Sequence, residues 1–198
     1  MFGAARAGCV FVPVNPLLKP AQVGHILRDC NVSALVTSGE RAAALADELR
    51  TCTDLRHLVL TGAGESAPSG GHFAVHAWRD LAAHPGATGL HRVIDTDMVS
   101  IFYTSGSTGR PKGVVLSHRN MVTGAHSVAG YLGNTAEDRL LAVLPFGFDY
   151  GFSQLSTAFH AGASVTLMDY LLARDILTAL ARERITGLAG VPPLWAQL

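Results

Sequence analysis

Several features that would assign this chain to a common class are scarce or missing. Its 198 residues carry 15 basic and 15 acidic side chains, a formal net charge of +0, and no basic stripe, so nucleic acid is not an expected partner. No apolar run approaches the roughly 18 residues that a membrane-spanning helix needs. No secretory signal opens the chain. These absences favour a cytoplasmic protein.

Cysteine is also scarce. Cys9, Cys30 and Cys52 are an odd, scattered set without metal or redox spacing, so we expect buried thiols in a reducing cytosol. His72 and His76 lie four positions apart, but the two glycines before them argue against a helix and no third ligand is evident. The sequence therefore predicts no metal site at these histidines.

The pattern of apolar residues predicts an α/β fold of alternating strands and helices. With 48% hydrophobic residues, the chain can bury the core of one large or two small domains. In the first half, residues 10–14, 34–37 and 57–60 have the composition of strands, and helical stripes lie between them at 20–30 and 41–49. This βαβαβ spacing predicts parallel strands joined by right-handed crossovers.

The second half repeats the alternation. Its expected strands are residues 97–102, 114–116, 139–144, 164–168 and 186–191, and its expected helices are residues 117–132, 150–160, 175–184 and 192–198. We divide the chain into first βα units at 1–61, an irregular connection at 62–96, and a second βα region at 97–198. One or two helical turns are expected at 78–83. Because the chain opens like the tail of a helix, we expect a fragment at both ends.

The most informative stretch is Tyr-Thr-Ser-Gly-Ser-Thr-Gly-Arg-Pro-Lys-Gly at residues 103–113. It lies between two predicted strands and contains no acidic residue. Its glycines allow positive φ and close backbone approach, and its hydroxyl and amide groups can form a concave anion site beside the lysine. We interpret it as a cradle for the phosphates of a nucleotide. The candidate contacts are Thr104, Ser105, Gly106, Ser107, Thr108, Gly109 and Lys112.

Other kinds of glycine-rich segment fit this stretch less well. A Walker loop needs four residues between its first glycine and a Gly-Lys-Ser/Thr, whereas Gly106 and Gly109 are three apart and Lys112 precedes Gly113. A flexible linker would not carry Pro-Lys-Gly with strands close on both sides. The absence of a Gly-x-Ser-x-Gly elbow disfavours a serine hydrolase.

Residues 103–114 form an unbroken run of about twelve positions that resembles the signature loop of the adenylate-forming superfamily. The likeness continues through Leu-Ser-His-Arg-Asn at 116–120. That superfamily includes acyl-CoA synthetases, amino-acid adenylation domains and luciferases. A weaker resemblance extends over most of the chain, for example at Val-Pro-Val-Asn-Pro in residues 12–16. It implies a fragment from the large N-terminal domain of such an enzyme.

The resemblance also implies a reaction. A carboxylate attacks the α-phosphate of ATP, giving an acyl-adenylate and pyrophosphate, and a thiol of coenzyme A or of a carrier-protein pantetheine then takes the acyl group. Mg²⁺ should accompany the nucleotide. The loop would hold the β- and γ-phosphates and stabilise the departing pyrophosphate. The expected partners are therefore a small carboxylic acid, ATP, and coenzyme A or a carrier protein.

Phe148-Asp149 is the second informative pair, at a strand-to-helix junction. Asp149 could simply cap the helix expected from Tyr150. By resemblance, acyl-CoA synthetases often carry histidine where Phe148 stands, whereas amino-acid-activating relatives have Phe-Asp, and their aspartate pairs with the substrate ammonium. A buried carboxylate needs such a cationic partner. Both interpretations stay open, so the leading hypothesis is an acyl-CoA ligase and the alternative is amino-acid adenylation.

Aromatic residues surround this junction. Phe146, Phe148, Tyr150 and Phe152 could line an apolar acyl pocket or simply belong to the core. Trp195 has the same two possibilities, because the family places pocket residues on the corresponding helix.

Other parts that the family uses do not occur in the sequence. It has no Tyr-Gly-x-Thr-Glu segment for adenine and magnesium and no Thr-Gly-Asp for ribose, and the C-terminal domain with its catalytic lysine is absent. We assign no catalytic residue within these 198 residues and expect them to be inactive alone. A rival hypothesis is a nucleotide-binding protein without ligase activity.

Overall fold

The computed structural model of the protein describes residues 1–62, 68, 70–86, 91–104 and 111–198. These residues form two compact units, one of residues 1–15 and 91–198 and one of residues 16–90. The elements in chain order are α1 (Phe2–Arg6), α2 (Pro20–Asp29), β1 (Ala34–Thr37), α3 (Gly39–Ala44), α4 (Ala46–Thr51), β2 (His57–Leu60), β3 (Ala74–Ala77), α5 (Trp78–Ala82), β4 (Met98–Thr104), β5 (Lys112–Ser117), α6 (His118–Leu132), β6 (Arg139–Ala142), α7 (Asp149–Ala161), β7 (Ser164–Leu167), α8 (Ala173–Arg182), β8 (Gly187–Leu188) and α9 (Pro192–Trp195). The predicted α/β alternation is confirmed.

The 16–90 unit contains a parallel sheet in the order β1-β2-β3. The central strand β2 is apolar and buried at Leu58, Val59 and Leu60, as expected for a parallel strand that is covered on both faces. The prediction of parallel strands is therefore confirmed here, and the predicted bounds of β1 and β2 match those observed.

Helix α2 begins where the sequence predicts. Pro20 stands in the first turn, where its missing N–H costs no hydrogen bond. The side-chain oxygen of Gln22 accepts the Lys19 N–H at 2.9 Å. Ile26 and Leu27 are almost fully buried on one side of the helix, so the apolar stripe faces the core of its unit.

The other unit holds two sheets. Strand β6 lies between β7 and β8 in a parallel sheet, and β4 pairs antiparallel with β5. Leu141 of β6 and Ile176 of α8 are buried in one core cluster. The helices α6 and α7 pack against each other beside the β4–β5 pair.

Aromatic rings join the elements of this unit. The ring centroids of Phe11 and Phe152 are 5.4 Å apart, those of Phe102 and Phe152 are 5.6 Å apart, and Phe2 of α1 lies 5.6 Å from Phe152. These are the distances of favourable tilted ring pairs. The cluster fixes the start of α7 against β4.

Two predicted strands are much shorter than expected. Residues 10–14 form only one bridge, in which Phe11 exchanges backbone hydrogen bonds with Val99 and Ile101. Pro13 and Pro16 lack the N–H groups that a longer ladder would use. The strand predicted at 186–191 is reduced to Gly187–Leu188, close before the prolines of α9. Strand β3 was not predicted.

The cysteines only partly follow the expectation of buried thiols. Cys52 is buried, Cys30 is intermediate and Cys9 is exposed, and none of these three cysteines forms a disulfide. Burial raises the pKa of the Cys52 thiol, which keeps it in the weakly reactive thiol form.

Ser100 provides a test of core energetics. It is fully buried on β4, and its hydroxyl has no hydrogen-bond partner among the described residues. Because an unpaired buried hydroxyl is destabilising, we expect Ser100→Ala to raise the free energy of unfolding by about 1 kcal/mol. Denaturant unfolding of the wild type and of Ser100→Ala measures the change. A loss of stability in the variant would show that the Ser100 hydroxyl does have a hydrogen-bond partner.

Candidate active site

The predicted phosphate loop connects β4 and β5. In the antiparallel register, Thr104 at the end of β4 stands opposite Lys112 at the start of β5, and both residues are exposed. The two predicted strands that flank the loop are thus confirmed. The loop residues Ser105, Gly106, Ser107, Thr108 and Gly109 lie outside the described residues.

One face of the β4–β5 pair carries two predicted phosphate contacts, Thr104 and Lys112. Directly opposed residues of an antiparallel pair share a face, as do alternate residues along a strand. Phe102 and Thr104 of β4 therefore face the same side as Lys112 and Leu116 of β5. This places a lysine and a threonine about two residues along the strand, or roughly 7 Å, from a buried aromatic ring.

Gly113 allows close packing on the opposite face. A Cβ atom there would lie 2.7 Å from the Ile101 Cγ2 atom and 3.2 Å from the Tyr103 ring. The shorter distance is too close for real Cβ atoms, so a larger residue would force the Ile101 side chain or the strand to shift. The glycine after Lys112 thus leaves room for the Ile101 and Tyr103 side chains beside β5.

The start of α6 matches its sequence signals. The Ser117 hydroxyl accepts the Asn120 N–H at 3.2 Å, and the Asn120 side chain accepts the Ser117 N–H at 2.9 Å. This reciprocal capping confirms Ser117 as the cap of the helix. Gly133, in the left-handed conformation at φ 66°, ends it.

A cavity of about 160 Å³ lies between α6, α7 and the β4–β5 pair. Its lining is mostly apolar, with hydroxyls and one carboxylate on the α7 side. The lining residues are Phe102, Leu116, Asn120, Met121, Gly124, Ala125, Val128, Asp149, Phe152, Ser153 and Ser156. Phe102 and Leu116 are the cavity residues that share a strand face with Thr104 and Lys112, the described residues on either side of the predicted phosphate loop.

Asp149 is an exposed residue that also lines this cavity. It is the first residue of α7, and Phe148 occupies the capping position without a side-chain cap. The Asp149 carboxylate accepts the Tyr150 N–H at 2.8 Å. The carboxylate therefore stabilises the first turn of the helix. It is also accessible to a ligand in the cavity.

The aromatic residues near this junction divide between core and surface. Phe152 is 1% exposed and forms part of the cavity wall, and Phe146 packs partly buried on the same core cluster. Phe148 and Tyr150 are 46% and 43% exposed, with their rings 6.3 Å apart. Only Phe152 of the four lines the cavity, because helical spacing turns it towards β4.

Trp195 lies on α9 and is 52% exposed. Its indole N–H donates to the Gly190 carbonyl at 3.0 Å. It does not line the α6–α7 cavity. Its predicted substrate contact is therefore not part of that cavity.

Sequence reasoning overlooked Gln154. This glutamine is 5% exposed on α7, and its side chain bonds to three backbone groups near Asp149. The sequence offered one signal for it, because Gln154 is a polar residue on the buried side of α7.

Across the described ranges, we found no cluster of three or more histidine, cysteine or acidic residues that could hold a metal ion.

The AMP-binding enzyme family matches residues 1–198, and the chain belongs to this family. It is 29% identical over 201 residues to a linear gramicidin synthase protein of Brevibacillus parabrevis, covering 100% of this chain and 2% of the synthase. It is 32% identical over 196 residues to a crotonobetaine/carnitine–CoA ligase of Salmonella heidelberg strain SL476, covering 96% of this chain and 37% of the ligase.

Solved structures show the same fold. The anthranilate CoA ligase AuaEII in complex with anthranoyl-AMP superposes with a TM-score of 0.85 at 28% identity, covering 99% of this chain and 38% of that one. VinN in complex with 3-methylaspartate gives a TM-score of 0.74 at 27% identity, covering 98% and 48%. The predicted fold, part of the N-terminal domain of an adenylate-forming enzyme, is confirmed.

Within the described residues, no helix has both the length and the apolar character to cross a membrane.

Proposed function

We propose that this chain is part of an enzyme that uses ATP to activate a carboxylic acid as an acyl-adenylate and then passes the acyl group to a thiol. The observation that carries the proposal is the shared face of β4 and β5. That face presents Thr104 and Lys112 at the loop and Phe102 and Leu116 at the cavity. Nucleotide phosphates and an organic acid held at these two places would meet along one strand pair.

The loop end of this face suits the polyphosphate of ATP. Lys112 supplies a positive charge and Thr104 a hydroxyl, and residues 105–109 add further hydroxyl and amide donors from the sequence. Such groups would orient the phosphates and stabilise the negative charge that develops on the leaving pyrophosphate. The nucleotide would enter with its Mg²⁺ ion as part of the substrate.

The cavity suits the organic part of the acid. Its apolar walls bury a hydrocarbon group, and Asp149 offers one carboxylate at the start of α7. Crotonobetaine and carnitine, in the name of one relative, carry a quaternary ammonium group, and the 3-methylaspartate bound by VinN carries a primary one. We therefore propose an acid with a cationic nitrogen, and a nitrogen-free acid remains the alternative.

The thiol acceptor is coenzyme A or the pantetheine of a carrier protein. The relatives include a CoA ligase and a gramicidin synthase protein, and the chain spans 37% and 2% of these proteins. Residues outside this chain would therefore contribute to thiol transfer. We expect the isolated 198 residues to be inactive.

ATP–pyrophosphate exchange by the protein expressed from its complete gene tests the proposal. The acids are offered in pairs that differ in a cationic nitrogen, such as L-aspartate with succinate and carnitine with 3-hydroxybutyrate, together with aromatic and linear acids of increasing size. Exchange that requires one of these acids supports activation. ATP binding without exchange for any acid would instead favour the nucleotide-binding protein without ligase activity.

Gly124 on α6 offers a test of the cavity itself. It lines the cavity, and a Cβ atom built there meets nothing within 4 Å. Gly124→Leu should therefore fold while filling the cavity, and we expect KM for the larger acids to rise by about tenfold, the effect of one or two displaced methylene groups. The smallest accepted acid should be least affected.

Gly130 provides the matched control. It lies on the same helix, also has open space around its Cβ position, and does not line the cavity. Gly130→Leu should leave the size preference unchanged. Equal effects of the two leucines on every acid would show that the cavity does not hold the substrate.

A further inference from the structure

We propose that Gln154 is a positioning residue that holds the turn before α7, and with it Asp149, in the geometry that the acid needs. This inference rests on the proposed function. It concerns a residue that makes no contact with the α6–α7 cavity in the described structure.

The Gln154 amide joins the end of β6 to the first turn of α7. Its Oε1 atom accepts the Val143 N–H at 3.2 Å. Its Nε2 group donates to the Leu144 carbonyl at 3.3 Å and to the Gly151 carbonyl at 2.7 Å. With both donor protons and the oxygen in use, this buried side chain is satisfied by backbone alone.

These three bonds close the turn formed by residues 145–150. Inside it, the Phe148 N–H donates to the Pro145 carbonyl at 3.2 Å. A Cβ atom at Gly151 would lie 1.9 Å from the Pro145 oxygen, so the turn is pressed directly onto the helix. A satisfied polar network in a buried place restricts the backbone to one arrangement.

The turn carries the exposed residues Phe148 and Asp149. Among the described contacts, the carboxylate of Asp149 bonds only to the adjacent Tyr150 N–H. The position of the carboxylate at the cavity therefore depends on the backbone beneath it. Because an electrostatic contact loses strength with small displacements, a looser turn weakens binding of the acid.

The test uses the complete gene product and two variants at this position. Gln154→Met has a similar length and no amide, so it removes all three bonds. Gln154→Glu keeps an acceptor for the Val143 N–H but sets a carboxylate against the carbonyls of Leu144 and Gly151. Ile26→Val, a buried change in the other unit, serves as the destabilised control.

Hydrogen exchange is the first measurement. In Gln154→Met, the amides of residues 146–152 should exchange about tenfold faster than in the wild type, while those of β4 and β5 are unchanged. In Ile26→Val, no selective change is expected in this segment. Unaltered hydrogen exchange at residues 146–152 in Gln154→Met would overturn the inference, whatever the activity.

Kinetics with the panel acid that the wild type activates fastest are the second measurement. Gln154→Met should raise KM for that acid by about tenfold and leave KM for ATP and kcat within about twofold. The activity of Gln154→Glu relative to the wild type should increase as the pH falls from about 8 to about 6. Burial raises the pKa of a carboxyl, and the protonated form can donate a hydrogen bond to the Gly151 carbonyl. A purely structural role would lower activity without a selective change in KM.

The remaining outcomes separate the two proposals. A wild-type protein that exchanges no pyrophosphate with any acid overturns the proposed function. If the wild type is active and Gln154→Met shows fast hydrogen exchange at residues 146–152 but an unchanged KM for the acid, only the positioning role of Gln154 is overturned.

Discussion

We expect the replacement of Lys112 by methionine to lower the rate of acid-dependent ATP–pyrophosphate exchange by about 10²-fold or more. The lysine stands opposite Thr104 at the mouth of the loop. Removing one preorganised charge from the site of a developing anion costs about this much in other enzymes. Because the side chain is exposed on an outer strand, stability should change little, and unfolding curves of variant and wild type should nearly coincide.

The chain contains its own control. Its only other lysine is Lys19, which is exposed and precedes α2 in the other unit. Lys19→Met should retain wild-type exchange, and Lys112→Arg should recover part of the lost rate because the charge is kept. If Lys112→Met kept its activity within about threefold of the wild type, Lys112 would have no role in binding the phosphates.

Replacing Asp149 by asparagine separates the two classes of acid. The amide can still accept the Tyr150 N–H but carries no charge. For acids with a cationic nitrogen, we expect kcat/KM to fall by about 10²-fold, the effect of leaving a charge without its partner. For the paired nitrogen-free acids, the change should stay within about threefold.

Asp175 is the matched control for this substitution. It lies in the first turn of α8, where its carboxylate accepts the Leu172 N–H at 3.0 Å, and it does not line the cavity. Asp175→Asn should lower stability as much as Asp149→Asn and leave the preference between paired acids unchanged. If Asp149→Asn lowers the rate equally for both members of each pair, Asp149 supports the helix and does not recognise a cation.

Local signals in the sequence were enough to predict much of the fold. The runs of β-branched and leucine residues at β1 and β2 lie between polar segments, and Ser117 and Gly133 fix the ends of α6 through their own chemistry. In such places the sequence within a few residues decides the structure.

Elements that depend on distant partners were missed. Strand β3 reads Ala-Val-His-Ala, a weak strand by composition, and forms because β2 offers it a parallel edge. Gln154 looks like an ordinary polar helix residue, and its importance comes from carbonyls that only the folded turn brings to it. The Phe148-Asp149 pair was found through resemblance, whereas the cavity beside it depends on the packing of α6 against α7.

We propose that the carboxylate of an organic acid attacks the α-phosphorus of ATP. The most direct measurement supplies the preferred acid with ¹⁸O in both carboxylate oxygens, together with ATP and hydroxylamine as the acyl acceptor. We predict AMP that carries one ¹⁸O atom and a hydroxamate that keeps the other, because the carbon–oxygen bond breaks when the acyl group leaves. Unlabelled AMP, or release of ADP and phosphate, would contradict the account.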